Sequence, residues 1–245
     1  MASGVAALRM RVAIVQSCYV PWKGYFDLIR SVDHFILLDD VQYSRGDWRN
    51  RNRIKTANGL RWISIPLRHS GTFPALIHDM RISNADWNRS HYSQIEQAYR
   101  ECAGWPVLRA WLEENLLAPG DETLSEVNER LTRSLCGLLG IATPITRSEA
   151  YAVRCGNPTE RVVRLCQAAG ATRYLSGPSA RDYIEPERFE EAGIALEYFG
   201  YGGYREYPQP HGAFEHAVSI LDAVAGLGHE ARLALERGTL EGSHV

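Results

Sequence analysis

Two short apolar runs near the amino terminus, VAIV at 12–15 and FILL at 35–38, constrain this chain more than any other feature. Unbroken apolar runs of this length read as strands covered on both faces, the habit of a parallel sheet lying between helices. Each run stops abruptly in polar, aromatic and charged residues that no core requires. In an open α/β sheet that is where ligands bind, in the crevice beyond the carboxyl ends of the strands. The sequence announces a site before it announces a chemistry.

The remaining pattern extends this frame. Helical spacing covers 25–32, 88–99, 107–117 and 124–139, the last introduced by the cap-like Asp121 and Thr123. WISIPL at 62–67 reads as a third buried strand, and 144–147, 174–175 and 195–199 read as later ones. Asn157 and Pro158 open a helix over 158–169, and 216–225 forms a terminal one. Strands and helices alternate at both ends, with a helical block between. That predicts an α/β fold, a Rossmann-like three-layer sandwich with a mostly parallel sheet and a helical insertion. We expect one α/β domain over 10–235, with 85–139 as a candidate helical subdomain, a disordered extension at 1–9 and a frayed tail at 236–245.

Hydrophobic residues make up 45% of the 245, enough for a full core, and the net charge of -2 gives no general attraction to nucleic acid or an anionic membrane. No apolar run approaches the roughly 20 residues of a membrane span. The opening residues lack the long apolar stretch of a signal peptide, so a cytoplasmic location is expected. Cys18, Cys102, Cys136, Cys155 and Cys166 form an odd set without a CxxC pair, which fits reduced thiols rather than a disulfide framework or a zinc site. Cys136 and Cys166 fall in apolar helical patterns and read as core.

The segment after the first run carries Gln16, Ser17, Cys18, Tyr19, Trp22, Lys23 and Tyr25, with Pro21 and Gly24 suited to a tight strand-to-helix turn. A helix opening there would aim free N–H groups at an anion. Cys18 is either a nucleophile, its pKa lowered by Lys23 or the helix dipole, or a thiol that lines a pocket. Asp39 and Asp40 end the second run and suit a general base, a bound amine or loop capping. No histidine lies at ligand spacing from them, and no metal site is expected. Gln42, Tyr43, Arg49, Asn50, Arg51, Asn52 and Lys55 follow, with Arg45, Trp48 and Arg53 among them. Locally this resembles a nucleic-acid footprint, but the rest of the chain supplies no matching basic face. Guanidiniums alternating with asparagines suit a compact phosphate or carboxylate better, a phosphopantetheine-type group included.

Three weaker signals complete the set. His91 opens a helical segment and reads either as a general acid–base group or as an exposed helical histidine. The sequence alone identifies no functional role for His69, His78, His216 or His229. In YLSGPSARDYI, Ser176, Gly177, Ser179 and Arg181, with Asp182, follow a buried strand and suit a phosphate or substrate loop. The stretch GYGGYREYPQPHGAF gathers Tyr207 and Gln209 with Tyr201, Tyr204, His211 and Phe214, a loop that either closes over a pocket or packs on the surface.

Taken together, QSCYVPWKGYFDLI, LDDVQYSRGDWRNRNRIKT, YLSGPSARDYI and YPQPHGAFEHAVSILD resemble the WbqC-like family over nearly the whole chain, from Arg11 to about Gly228. Family members commonly show Gln-Pro-Asn-Tyr where this chain has Gln16, Ser17, Cys18 and Tyr19, so Cys18 is not carried over as a family nucleophile. The resemblance implies a biosynthetic enzyme that decorates an amino sugar or similar amine with an acyl or aminoacyl group. A weaker similarity links Trp22-Lys23-Gly24-Tyr25 to the His-x-Gly-His turn of pantothenate synthetase, and SARDYI to its ATP-phosphate segment. Both histidines of that turn are replaced here, by Trp22 and Tyr25.

The expectation is a transferase forming an amide or ester, with Cys18, Asp39, Asp40 and His91 as catalytic candidates. No cofactor is required by the sequence, the donor being a carrier-protein or CoA thioester, and ATP being the alternative. The expected partners are a small-molecule acceptor and an acyl-carrier protein, with neither membrane nor nucleic acid. An ATP-dependent amide ligase and a non-catalytic binding module stand as the other readings.

Overall fold

The computed structural model describes residues 9–68, 75–118 and 123–238. Within them the chain forms β1 (Arg11–Val15), α1 (Lys23–Arg30), β2 (His34–Leu37), β3 (Arg51–Thr56), β4 (Gly59–Ser64), α2 (Trp87–Tyr99) and α3 (Trp105–Trp111). Then follow α4 (Leu124–Leu138), β5 (Ile145–Arg147), α5 (Pro158–Ala168), β6 (Arg173–Ser176), α6 (Pro186–Glu191), β7 (Ala195–Tyr198) and α7 (Ile220–Leu227). Most of the proposed extension and tail, His69 and Asp121 lie outside the described residues. The chain divides into two compact units.

The first unit comprises Met1–Val15, Leu28–Leu38 and Thr143–Gly200. Its sheet is parallel throughout, in the order β5-β2-β1-β6-β7. Counted within the sheet this is 3-2-1-4-5, the Rossmann arrangement, in which the order reverses beside β1. Helices flank the sheet, giving the Rossmann-like three-layer α/β fold that the apolar runs predict. β1 is central because both of its faces are apolar: Val12, Ala13 and Ile14 are all buried. Val12 and Ile14 join Ile36, Tyr174, Val163, Leu165, Cys166 and Phe189 in one core. Tyr174 stacks flat on Phe189 with ring centroids 5.3 Å apart. Each such side chain contributes about 1.5–3 kcal/mol by leaving water. α5 starts where the sequence places it, because the Asn157 side chain accepts the Glu160 N–H and Pro158 needs no partner.

The second unit comprises Gln16–Asp27, Asp39–Ala142 and Tyr201–Val245. Here one strand expectation is corrected. Residues 62–67 do not join the parallel sheet; β4 pairs antiparallel with β3 in a separate hairpin. Ile63 is its one buried position, while Leu60 and Trp62 stay 40% and 42% exposed. Burial alternates at Ile63 and Ile65 rather than running unbroken, and Gly59 at φ 95° supplies the turn. β3 carries the second half of the basic segment, with Arg51, Arg53 and Lys55. Helix 107–117 is divided into α3 and a π-helical turn at Leu112–Leu116, and the terminal helix begins four residues late, where Ser219 caps Leu221 N–H. The short helix α6, in the first unit, was not foreseen.

α4 is capped by a reciprocal Thr123–Glu126 box. Its buried face carries Leu124, Val127, Leu131 and Leu135, but also Ser125, Asn128 and Thr132, all fully buried. α3 crosses α7 closely at Gly104, whose N–H bonds Ala225 O at 2.7 Å. A Cβ there would lie 2.3 Å from Val224 O, so only glycine fits. Among the described residues no helix is long and apolar enough to cross a membrane.

Candidate functional site

The site is built on the turn that follows β1. The Arg49 guanidinium reaches across it, donating to Gln16 O (3.2 Å), Ser17 O (3.3 Å) and Cys18 Sγ (3.0 Å), and pairing with Asp47 at 3.4 Å. Ser17 N–H donates to Asp39 Oδ1 at 2.8 Å, and Ser125 Oγ donates to Asp39 Oδ2. Asn128 Nδ2 bonds Ser17 Oγ at 3.0 Å and Arg49 O at 2.9 Å. Both oxygens of Asp39 are thus engaged inside the protein, where they hold the turn. Asp40 beside it is also buried.

The second half of the turn is strained. Val20 sits at φ 34°, a region a β-branched residue rarely adopts. Its carbonyl accepts from Asn52 Nδ2 (2.9 Å) and Ser219 Oγ (2.7 Å), and Asn52 also bonds Tyr19 O at 3.1 Å. Surroundings that over-determine an unfavourable backbone are a mark of a functional turn.

These constraints shape a cavity of about 340 Å³ lined by Cys18, Pro21, Trp22, Tyr25, Trp48, Asn52 and Ala217. The lining is mostly aromatic and apolar, with the thiol of Cys18 and the amide of Asn52 among it. Burial pushes that thiol up to about 11, against the opposing pull of the Arg49 charge. The lowered pKa expected for Cys18 is therefore corrected: desolvation outweighs the neighbouring cation, and Lys23 points elsewhere.

Lys23 is 2% exposed. Among the described residues its ammonium has no hydrogen-bond partner, and it packs against Phe214, Tyr207 and Tyr204 at 4.9, 5.0 and 5.4 Å from the ring centroids. Burial lowers its pKa to about 8, with Asp222 and Glu206 opposing the shift. His91 is not an exposed helical histidine; it is 4% exposed. Its Nδ1 meets Tyr19 Oη at 2.8 Å and its Nε2 meets Ser64 O at 3.2 Å, and burial lowers its pKa to about 4.

The tyrosine-rich segment packs rather than floats. Asp222 accepts from Tyr207 Oη (2.8 Å), Gln209 Nε2 (2.6 Å) and Tyr99 Oη (3.0 Å). Lys55 Nζ donates to Gln209 Oε1, Gly212 O and Ala213 O. Tyr43 bonds Asn50, which bonds Ile65 O, while Gln42 is exposed. Arg51 lies over the Trp62 ring. Ser176, Gly177, Ser179 and Arg181 belong to the first unit, where Ser176 is buried at the end of β6 and exposed Arg181 stacks on Tyr198 at 4.0 Å.

Sequence reasoning missed Ser125, Asn128, Ser219, Asp222 and Tyr99. The one available signal was polar residues at 125, 128 and 132 on the apolar stripe of α4.

The parallel sheet in Rossmann order defines the class, an α/β protein. Comparison with known proteins supplies the family. Residues 16–233 match the WbqC-like protein family, and the chain belongs to it. It is similar to the uncharacterized protein Rv1507c of Mycobacterium tuberculosis (strain ATCC 25618 / H37Rv), at 47% identity over 221 residues, 90% of this chain and 95% of that one. No solved structure matches.

Proposed function

We propose that this protein is a biosynthetic transferase that moves an acyl or aminoacyl group from a thioester to an amine of an amino sugar or specialised metabolite. The observation that carries the reading is the aromatic cavity with Cys18 Sγ in its wall and the Arg49 guanidinium 3.0 Å from that sulfur. A volume of about 340 Å³ suits a short acyl chain. In the reaction, Cys18 attacks the donor thioester, its proton passes to the departing donor thiolate, and an acyl–Cys18 thioester forms. The acceptor amine then attacks that carbonyl, the carbon–sulfur bond breaks, and the proton lost from nitrogen returns to Cys18. Arg49 stabilises the transient thiolate, which burial otherwise disfavours. Asp39 positions the turn through Ser17 and Ser125.

The test is intact-mass measurement after mixing with acyl thioesters. A single acyl adduct that maps to Cys18 and is discharged by amines supports the reading. Full transferase activity in Cys18→Ala would exclude the covalent route and leave Cys18 as cavity wall; absence of any acyl transfer would overturn the whole.

The 3-2-1-4-5 sheet order favours a second reading, an ATP-dependent ligase, because nucleotides bind such sheets at the reversal of strand order. ATP–pyrophosphate exchange dependent on a carboxylate would support it, and failure of ATP to bind would remove it.

A further inference from the structure

Four large apolar side chains stand exposed among the described residues, and three of them, Trp48, Leu60 and Trp62, belong to the β3–β4 hairpin and its approach. Scattered exposed apolar groups need no explanation, but a cluster does. Trp48 and Trp62 lie with ring centroids 5.1 Å apart. Arg53 faces Trp62 directly across the hairpin, and Arg51 sits two residues away on the same face. The Arg51 guanidinium lies 4.2 Å from the Trp62 centroid, and that of Arg53 lies 5.4 and 5.6 Å from Trp48 and Trp62. The result is a ladder of two indoles and two guanidiniums, with both tryptophans at least 40% open to solvent.

Arg51 gives one Nη to Gly46 O, and the buried Nε of each arginine has no hydrogen-bond partner among the described residues, which leaves donors that suit phosphate oxygens. Indole faces suit the flat ring of a base. The ladder is also continuous with the cavity, because Trp48 lines the cavity and touches Trp62. A ligand whose acyl end reaches Cys18 therefore has its far end beside the ladder.

We propose that the Trp48–Trp62–Arg51–Arg53 ladder binds the purine nucleotide end of the acyl donor, making the donor a nucleotide thioester of the coenzyme A kind. The base stacks on Trp62 and the phosphates meet Arg51 and Arg53. The assignment of the donor rests on the acyl-transfer reading above; the nucleotide site itself does not. A carrier-protein donor has no base to stack and would not use Trp62.

The experiment measures binding of adenosine 3′,5′-bisphosphate, coenzyme A and a short N-acetylcysteamine thioester to the full chain by calorimetry and tryptophan fluorescence. The wild type is expected to bind the bisphosphate with quenching of its tryptophan emission, and Trp62→Ala to weaken bisphosphate and coenzyme A about tenfold or more. Binding of the short thioester should be unchanged in Trp62→Ala, which also reports that the variant is folded. Failure of the bisphosphate to bind, equal affinity for it in Trp62→Ala, or binding of a single-stranded oligonucleotide far tighter than of coenzyme A would each overturn the proposal. If short thioesters acylate Cys18 while the bisphosphate does not bind, the transferase reading stands and the nucleotide site falls. The reverse pattern keeps the nucleotide site and removes the acyl–Cys18 route.

Discussion

The Tyr19 hydroxyl lies 2.8 Å from His91 Nδ1, and this contact fixes the protonation of a buried imidazole. The other ring nitrogen, Nε2, faces Ser64 O at 3.2 Å, and a carbonyl can only accept. Nε2 therefore carries the proton, Nδ1 accepts from Tyr19, and the ring is neutral. A second proton on Nδ1 would reverse the Tyr19 bond, leave the Tyr19 hydroxyl proton in need of another acceptor, and place a charge in a dry site.

The stability of the protein should consequently fall in mild acid. The folded pKa of His91, about 4, lies below the unfolded value of 6.5, so the unfolded chain binds the extra proton first. Stability from this group is complete above pH 6.5 and is lost as pH falls toward 4. The total is about 3 kcal/mol at 1.36 kcal/mol per pKa unit. Urea denaturation at pH 7.5 and 5 measures it. His91→Phe should be weaker at pH 7.5, having left Tyr19 Oη and Ser64 O unpaired, yet lose less on acidification. A variant as acid-sensitive as the wild type would show that another group titrates.

Cys18 should be a slow thiol. With its pKa at about 11 against an ordinary 9.0, its thiolate fraction at pH 8 is reduced roughly a hundredfold. Peptide-resolved alkylation by iodoacetamide should find it lagging behind the half-exposed Cys155. Arg49→Met removes the one cation that lowers this pKa and should slow the reaction further. Faster alkylation in that variant would mean that Arg49 shields the sulfur more than it ionises it.

How much of this was legible in the sequence follows from the range of the contacts involved. β1 and β2 were readable because each is a continuous apolar run, and α4 and α5 because their caps are local. Residues 62–67 misled because Trp62 is apolar yet faces solvent, so the segment imitates a buried run. The turn at 16–22 and the carboxylate at 39 were visible as residues out of place after strands. Their supports were not, since Asn128 lies 111 positions from Ser17 and Ser125 lies 86 from Asp39. No local pattern encodes such pairings. Polar residues on the α4 stripe looked like an imperfect amphipathic face until their partners were in view.

Asp222 should prove the strongest polar anchor of the carboxyl-terminal segment. It accepts from Tyr99, Tyr207 and Gln209, and Tyr99 Oη in turn accepts the Lys55 N–H at 2.9 Å. Asp222→Ala strands one buried donor, Tyr99, and two partly buried ones, Tyr207 and Gln209, at up to about 1–3 kcal/mol each. Because the losses overlap, about 3 kcal/mol or more is expected in urea denaturation. Limited proteolysis should open the segment between Tyr201 and Ser219. Asp222→Asn keeps one acceptor and should lose less. Equal effects of the two substitutions would place the role of Asp222 in its charge rather than its hydrogen bonds.

Lys23 presents two opposed terms, and the sign of one substitution decides between them. Three rings within 5.4 Å favour the ammonium, by up to about 2 kcal/mol where water is excluded. Desolvation disfavours it, lowering its pKa to about 8 against 10.5 over the opposing pull of Asp222 and Glu206. For a lysine whose folded pKa is lowered, the unfolded chain holds more protons between pH 8 and 10.5, so stability rises with pH across that window. Below pH 8 the penalty is constant and complete. Lys23→Met fills the same space without a charge and should raise stability at pH 7 by about 1 kcal/mol, since a buried charge replaced by an apolar group of similar volume is often a gain. The same variant should abolish the rise between pH 8 and 10. If Lys23→Met is instead less stable at pH 7, the aromatic rings hold the charge more strongly than burial repels it.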